Sequence, residues 1–150
     1  MSNFKKSAQN LFKLTALGGI LIVTLLTSGC GTQGSVALQE GVVTATLTEF
    51  TIQLDRPSIA AGKVTFRVKN AGKMEHELIV LKTDVAQDKI PVDPANKAKV
   101  DETSSVGEVA DVPAGEIKSA VIELTPGKYV LICNKPGHYA AGQHIAFLVT

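Results

Sequence analysis

The sequence lacks a cluster of lysine and arginine residues outside its first 29 positions. The 150-residue chain carries 15 basic and 14 acidic residues, and three of the basic ones, Lys5, Lys6 and Lys13, stand in that first stretch. Residues 30–150 therefore hold 12 basic and 14 acidic side chains, for a charge near −2. A weakly acidic body without a basic patch does not have the charge pattern of a nucleic-acid binding protein, so we exclude that class.

Long apolar runs and enzyme signatures are also scarce. The uncharged apolar run at 14–26 would cover only about 20 Å as a helix, against about 30 Å for a bilayer core, so it is too short to span a membrane. The sequence contains no nucleophile elbow, phosphate-binding loop or credible acid–base pair. We therefore expect neither enzymatic activity nor a small-molecule substrate.

The first 29 residues have the pattern of a secretory signal. Three lysines precede the apolar run, and the small residues at 27–29 lead directly to Cys30. Small residues before a cysteine resemble the lipobox of bacterial lipoproteins, which implies that Cys30 is lipidated and anchors the protein at the periplasmic or outer face of the cell membrane, or at an outer membrane. An uncleaved anchor or an ordinary cleavage site remains open, with Cys30 a chance thiol.

The rest of the chain divides into a short tether and one domain. Residues 30–41 are small, polar and glycine-containing, which predicts a flexible tether. Residues 42–150 consist of apolar, β-branched segments separated by turn-forming residues, which predicts an all-β fold, an antiparallel sandwich or barrel. The predicted strands are 42–54, with a bulge near Glu49, 64–70, 76–81, 119–124, 129–133 and 144–150.

One stretch, 82–117, departs from the strand pattern and is predicted to be a surface excursion. Within it, Asp93 and Pro94 favour the start of a short helix that ends near Val100, and a weak strand is expected near Val109.

Metal-binding residue types are concentrated around an isolated cysteine. Four residues separate Cys133 from His138, and four more separate His138 from Gln143, while His76 opens an earlier predicted strand. A thiolate with two imidazoles and one weak axial ligand, methionine or glutamine, is the ligand set of a blue copper site.

These residues stand in a pattern that resembles the cupredoxins, the plastocyanin and azurin superfamily. The family has an Asn and a Gly before a His, and later a closing loop with Cys, Pro-Gly-His and Met. The resemblance covers 42–150 and is carried by Asn70, Gly72, His76, Cys133, Pro136, Gly137 and His138, with residues 126–130 leading into the cysteine.

The resemblance implies a Greek-key β-sandwich that carries one mononuclear type 1 copper ion. The implied ligands are His76, Cys133 and His138, with Gln143 at the axial place as in stellacyanin. The implied function is single-electron transfer between transient redox partners by a monomer, which would meet them through an apolar patch around His138 formed by Pro136, Tyr139, Ala140 and Ala141. Three histidines in the whole chain are too few for the additional catalytic sites of copper enzymes.

Several alternatives stay open at this point. Cys133 could instead form a disulfide with Cys30, and Gln143 could face solvent. His144 or Met74 would then be the substitutes to consider, although successive strand residues point to opposite faces.

Glu77 departs from the family, because many members have Asn after the first His. The hydrogen bond that this Asn often contributes to the Cys loop must therefore be made differently. Two other functions compete with electron transfer: a copper carrier or buffer that delivers metal to a membrane oxidase, and a metal-free interaction sandwich.

Overall fold

The computed structural model describes residues 41–150, which form two packed β-sheets and one small two-stranded sheet, Val92–Asp93 with Lys99–Val100. The strands are β1 Gly41–Thr48, β2 Thr51–Leu54, β3 Ser58–Ile59, β4 Gly62–Asn70, β5 His76–Lys82, β6 Val92–Asp93, β7 Lys99–Val100, β8 Ser105–Val112, β9 Ile117–Leu124, β10 Gly127–Ile132 and β11 His144–Val149. Within the described residues the one helical element is a 3₁₀ turn, Pro94–Asn96. No helix among residues 41–150 is long and apolar enough to cross a membrane.

The sheet order confirms the β-sandwich but corrects the expectation that it is purely antiparallel. The first sheet has the order β2-β1-β4-β9, and the second has the order β3-β11-β10-β5-β8. Strands β1 and β4 pair in parallel, as do β11 and β3, while the other pairs in these two sheets are antiparallel. After β2 the chain crosses to the second sheet, where it forms β3, and then returns to the first sheet to form β4 beside β1. Because of this crossover, β4 runs in the same direction as β1.

The main core lies between the two sheets. Val43, Ala45 and Leu47 alternate along β1 with outward-facing residues, and all three are fully buried, as expected for a strand with one face on a core. Across the sandwich, the rings of Phe66 and Phe147 meet edge to face, with centroids 5.9 Å apart.

A second apolar cluster covers the outer face of the second sheet. Ile79 and Leu81 of β5, with Val130 and Ile132 of β10, face away from the main core and pack against residues of the excursion and Tyr139. Strands β5 and β10 are therefore buried on both faces. This double burial explains why their sequences are continuous apolar runs rather than alternating ones.

The strand predicted at 42–54 with a bulge near Glu49 is divided there into β1 and β2, because Glu49 and Phe50 form a tight turn rather than a bulge. Phe50 takes a left-handed conformation, with φ of 64°, that non-glycine residues rarely adopt. The run carries no Gly, Asn or Pro at this point, so the sequence indicates a bulge but not a turn.

The excursion is shorter than the predicted 82–117. Strand β8 occupies Ser105–Val112 and β9 begins at Ile117, which leaves 83–104 as the irregular part. Asp93 caps the 3₁₀ turn by accepting a hydrogen bond of 2.8 Å from Ala95 N, but the turn ends at Lys97, whose φ is 56°. The helix predicted to continue to Val100 therefore does not form.

The predicted signal at 1–29, the lipidation of Cys30 and the tether up to residue 40 lie outside the described residues.

Candidate metal centre

Three strand ends and one loop bring the candidate ligands together. His76 is the first residue of β5, Cys133 follows the last residue of β10, and Gln143 precedes the first residue of β11. The loop between Cys133 and Gln143 carries His138 and is closed by a hydrogen bond of 3.0 Å from Cys133 N to Gln143 O. The antiparallel pairing of β10 with both neighbours therefore places these side chains at one end of the second sheet.

The donor atoms of three of these residues fit one metal ion. Cys133 Sγ lies 3.8 Å from His76 Nδ1 and 3.3 Å from His138 Nδ1, and all three side chains are buried. Metal bonds of about 2.0 Å to nitrogen and about 2.3 Å to sulfur, the lengths known for zinc, would separate nitrogen and sulfur by about 3.7 Å in a trigonal site. A Cys and two His with a weak axial ligand is the donor set that favours copper over other metals.

Burial shifts the pKa of two of the donors, His76 and Cys133, in the metal-free protein. Burial is the main cause that lowers the pKa of His76, and the charge of His138 adds to the effect, so the His76 ring is favoured in its neutral, metal-binding form. Burial also raises the pKa of the Cys133 thiol, although hydrogen bonds from the backbone N–H groups of Lys135 and Glu77 act to lower it. A bound metal ion would displace the thiol proton.

Gln143 lies beside the donors, and His144 faces the other way. Gln143 Nε2 donates to Thr48 O at 2.8 Å and lies 3.1 Å from His76 Nδ1, while Oε1 is buried with no hydrogen-bond partner among residues 41–150. The ring of His144 packs against Tyr139 on the outer face of the sheet, with ring centroids 5.0 Å apart. The strand alternation predicted from sequence therefore matches the observed side-chain directions, except that His144 is half-buried rather than fully solvent-facing.

The short segment before His76 is shaped by the residues that carried the sequence pattern. Asn70 is fully buried; its Nδ2 donates to Met74 O at 2.7 Å and to Val112 O at 2.8 Å, and its Oδ1 accepts from Gly72 N at 2.9 Å. A Cβ at Gly72 would lie 2.7 Å from the Glu49 carboxylate, so a larger residue would push aside the carboxylate that accepts a hydrogen bond of 3.0 Å from Met74 N.

The loop that carries Cys133 and His138 is attached to the excursion at two points. Asn134 Oδ1 accepts from Val100 N at 2.8 Å, and its Nδ2 donates to Val100 O at 2.9 Å. Tyr139 Oη accepts from Ile90 N at 2.9 Å and donates to Gln87 O at 2.8 Å. Asn134, which follows Cys133, and Tyr139, which follows His138, thus hold the excursion against the second sheet.

His138 is the donor nearest to an exposed apolar surface. Phe50, which is 40% exposed, places its ring 5.5 Å from the His138 ring in an edge-on contact. Pro136, Ala140 and Ala141 are exposed as expected, but Tyr139 is buried under the excursion and is not part of the patch. The sequence does not indicate the contact of Phe50 with His138, because a bulge near Glu49 leaves Phe50 within a strand, whereas the structure places it in a turn.

No family model matches the chain, and no curated protein matches it in sequence.

Three solved structures are similar to the chain. The dithionite-reduced auracyanin of Roseiflexus castenholzii has a TM-score of 0.55 and 19% identity over 75% of this chain and 98% of its own. Auracyanin A, a blue copper protein of Chloroflexus aurantiacus, has a TM-score of 0.50 and 22% identity over 73% of this chain and 100% of its own. A rusticyanin variant with glutamine in place of a methionine has a TM-score of 0.56 and 21% identity over 75% of this chain and 79% of its own.

These similarities show that the chain has the cupredoxin fold, which confirms the fold that the sequence resemblance implied.

Proposed function

We propose that the protein is a type 1 (blue) copper protein that carries single electrons between redox partners. The observation that carries this proposal is the buried His76, Cys133 and His138 cluster, with the unpartnered amide oxygen of Gln143 in the same buried region. His76, Cys133 and His138 would bind the ion, and Gln143 would be its weak axial ligand. A copper ion bound there supplies a one-electron couple between Cu(II) and Cu(I).

The chain's own contribution is to hold the donors still. His76 begins a strand that is buried on both faces, and the segment before it is fixed by the hydrogen bonds of Asn70. Gln143 is held through Thr48 O, and Asn134 ties the loop after Cys133 to the excursion. A site whose donors move little between oxidation states has little structure to reorganise, which favours fast electron exchange.

The surface around His138 suits a brief encounter with a redox partner. His138 is 8% exposed, and its neighbours Phe50, Pro136, Ala140 and Ala141 are uncharged and exposed. Transient redox complexes bury small areas, and an exposed surface formed by a few uncharged residues suits that class of interface. His138 would be the ligand through which the electron enters and leaves, and the protein would act as a monomer.

Redox cycling in the presence of a chelator tests this function against copper delivery. The copper-loaded protein would be reduced with ascorbate and reoxidised with ferricyanide while a Cu(I)-specific chelator is present. We expect the visible band to bleach and return at full amplitude over several cycles, because the donors stay in place. Loss of copper to the chelator at the first reduction would indicate a carrier, and a wild-type protein that binds no copper would indicate a metal-free interaction module.

The same proposal places the domain at the outer face of a membrane through lipid on Cys30. Its support is the sequence alone: the signal-like residues 1–29, the small residues before Cys30 and the tether composition of 30–41. Mass spectrometry of the mature protein is expected to find an N-terminal, lipid-modified Cys30, and Cys30→Ala is expected to release the protein from membranes. An unmodified mature terminus, or a Cys30→Ala protein that stays membrane-bound, would contradict the lipid anchor.

A further inference from the structure

Lys135 lies two residues after Cys133 and contacts three carboxylates. Its ammonium is 2.7 Å from Glu75 Oε1, 2.6 Å from Asp111 Oδ1 and 3.6 Å from Glu77 Oε2, and its side chain is only 21% exposed. Glu75 and Glu77 flank His76, whereas Asp111 belongs to β8. A single ammonium therefore connects the loop of one candidate ligand to the strand that carries another.

Glu77 makes this connection more than a surface ion pair. Its side chain is largely buried, Oε1 has no hydrogen-bond partner within 41–150, and the ammonium of Lys135, 3.6 Å from its other oxygen, is its one ion-pair partner among those residues. Exposed ion pairs contribute little to stability, about 0–1 kcal/mol, but removing one partner of a buried pair leaves an uncompensated charge. Loss of Lys135 should therefore disturb the loop and the start of β5 together.

Asp111 is the carboxylate that β8 contributes to Lys135, and its backbone conformation is unusual. It adopts a left-handed backbone conformation, with φ of 46°, and its carbonyl oxygen accepts a hydrogen bond of 2.5 Å from Lys118 Nζ. Such a conformation persists only where surrounding contacts hold it. Here it presents the Asp111 carboxylate to Lys135.

Building on the proposed copper site, we propose that Lys135 is a positioning residue for the Cys133 thiol. Its ammonium, bound to Glu75, Glu77 and Asp111, fixes the loop after Cys133 relative to His76. It thereby performs the bracing that an Asn after the first His often performs in proteins that this sequence resembles, a position occupied here by Glu77.

The thiol of the metal-free protein gives a test that needs no copper. Cys133 is fully buried, so its reaction with a thiol reagent requires the loop to open. We expect Lys135→Met to raise the rate of Cys133 modification, followed by peptide mass spectrometry, at least tenfold. Lys135→Arg should restore a rate within about threefold of wild type, because arginine keeps the charge and the donors.

Lys128→Met is the matched control, because Lys128 also forms an ion pair, 3.8 Å from Asp84, but stands at the other end of β10. It should leave the rate unchanged. If Lys135→Met does not fold, Glu75→Gln removes one of the three contacts and should raise the rate by a smaller factor. A wild-type rate in the folded Lys135 or Glu75 variant, or an equal rise in the Lys128 variant, would overturn the proposal.

The copper-loaded protein gives a second, spectroscopic readout. Lys135→Met should shift the thiolate-to-copper band and speed copper loss to a chelator about tenfold, and Lys135→Arg should reverse both changes. A purely structural role would lower the unfolding midpoint and leave the band where it was, which would overturn the positioning role. Failure of the proposed function gives a different result. If the copper-treated wild-type protein lacks the intense band, the expected differences in Cys133 modification rate among the metal-free variants are still observed.

Discussion

Replacing Cys133 with serine is expected to abolish the intense colour of the copper-loaded protein. The blue or green band of a type 1 site arises from charge transfer between a thiolate and Cu(II), and a serine hydroxyl is neither ionised nor soft enough to replace it. Cys133 Sγ lies within 4 Å of both imidazole Nδ1 atoms, so the substitution removes the donor that the two histidines face. Titration of the purified variant with Cu(II), followed by visible absorption, measures the loss.

Cys30→Ser is the control for this experiment, because it removes the other cysteine of the chain. The two histidines and Cys133 remain in that variant, so its colour should equal that of the wild type. A wild-type protein that gives only a pale complex, or a Cys133→Ser protein that keeps the intense band, would contradict the blue copper assignment.

Gln143→Met is expected to raise the reduction potential by about 90 mV while the copper and its colour remain. An amide oxygen is a harder donor than a thioether sulfur and favours Cu(II), so the substitution should favour Cu(I). A differential stabilisation of about 2 kcal/mol corresponds to about 90 mV for a one-electron couple. The variant also loses the hydrogen bond from Gln143 Nε2 to Thr48 O, so it should unfold at a lower denaturant concentration.

His144→Ala is the matched control for the axial position. The ring of His144 packs against Tyr139 on the outer face of the second sheet, so its removal should leave the potential unchanged. Voltammetry of the two variants decides between the residues. A potential that shifts in His144→Ala and stays constant in Gln143→Met would make His144 the axial ligand and would refute the role assigned to Gln143.

The sequence was most informative where chemistry and periodicity agree. The spacing of Cys133, His138 and Gln143 allows them to face one point from a single loop, whereas the inclusion of His76, after Asn70 and Gly72, is what the resemblance to the cupredoxins implies. The structure gives these last two residues a physical role, because Asn70 holds the backbone of the segment that leads to His76.

The sequence was least informative about contacts between distant segments. Phe50 reaches His138 across 88 positions through a turn with no Gly, Asn or Pro to mark it. The carboxylates around Lys135 are 24 to 60 positions away, and charged residues at such separations carry no pattern of their own. The parallel pairing of β1 with β4 was missed for the same reason, since it depends on the path of the chain through the second sheet.

The burial of β5 and β10 on both faces has a consequence for amide hydrogen exchange. Backbone amides at the centre of a doubly covered sheet exchange with solvent only when the whole domain unfolds, whereas loops exchange through local opening. His76 and Cys133 therefore lie at the ends of the strands that open last. His138 lies instead in a loop between two strands. A metal ion could then enter and leave on the His138 side while the two strands beneath it stay closed.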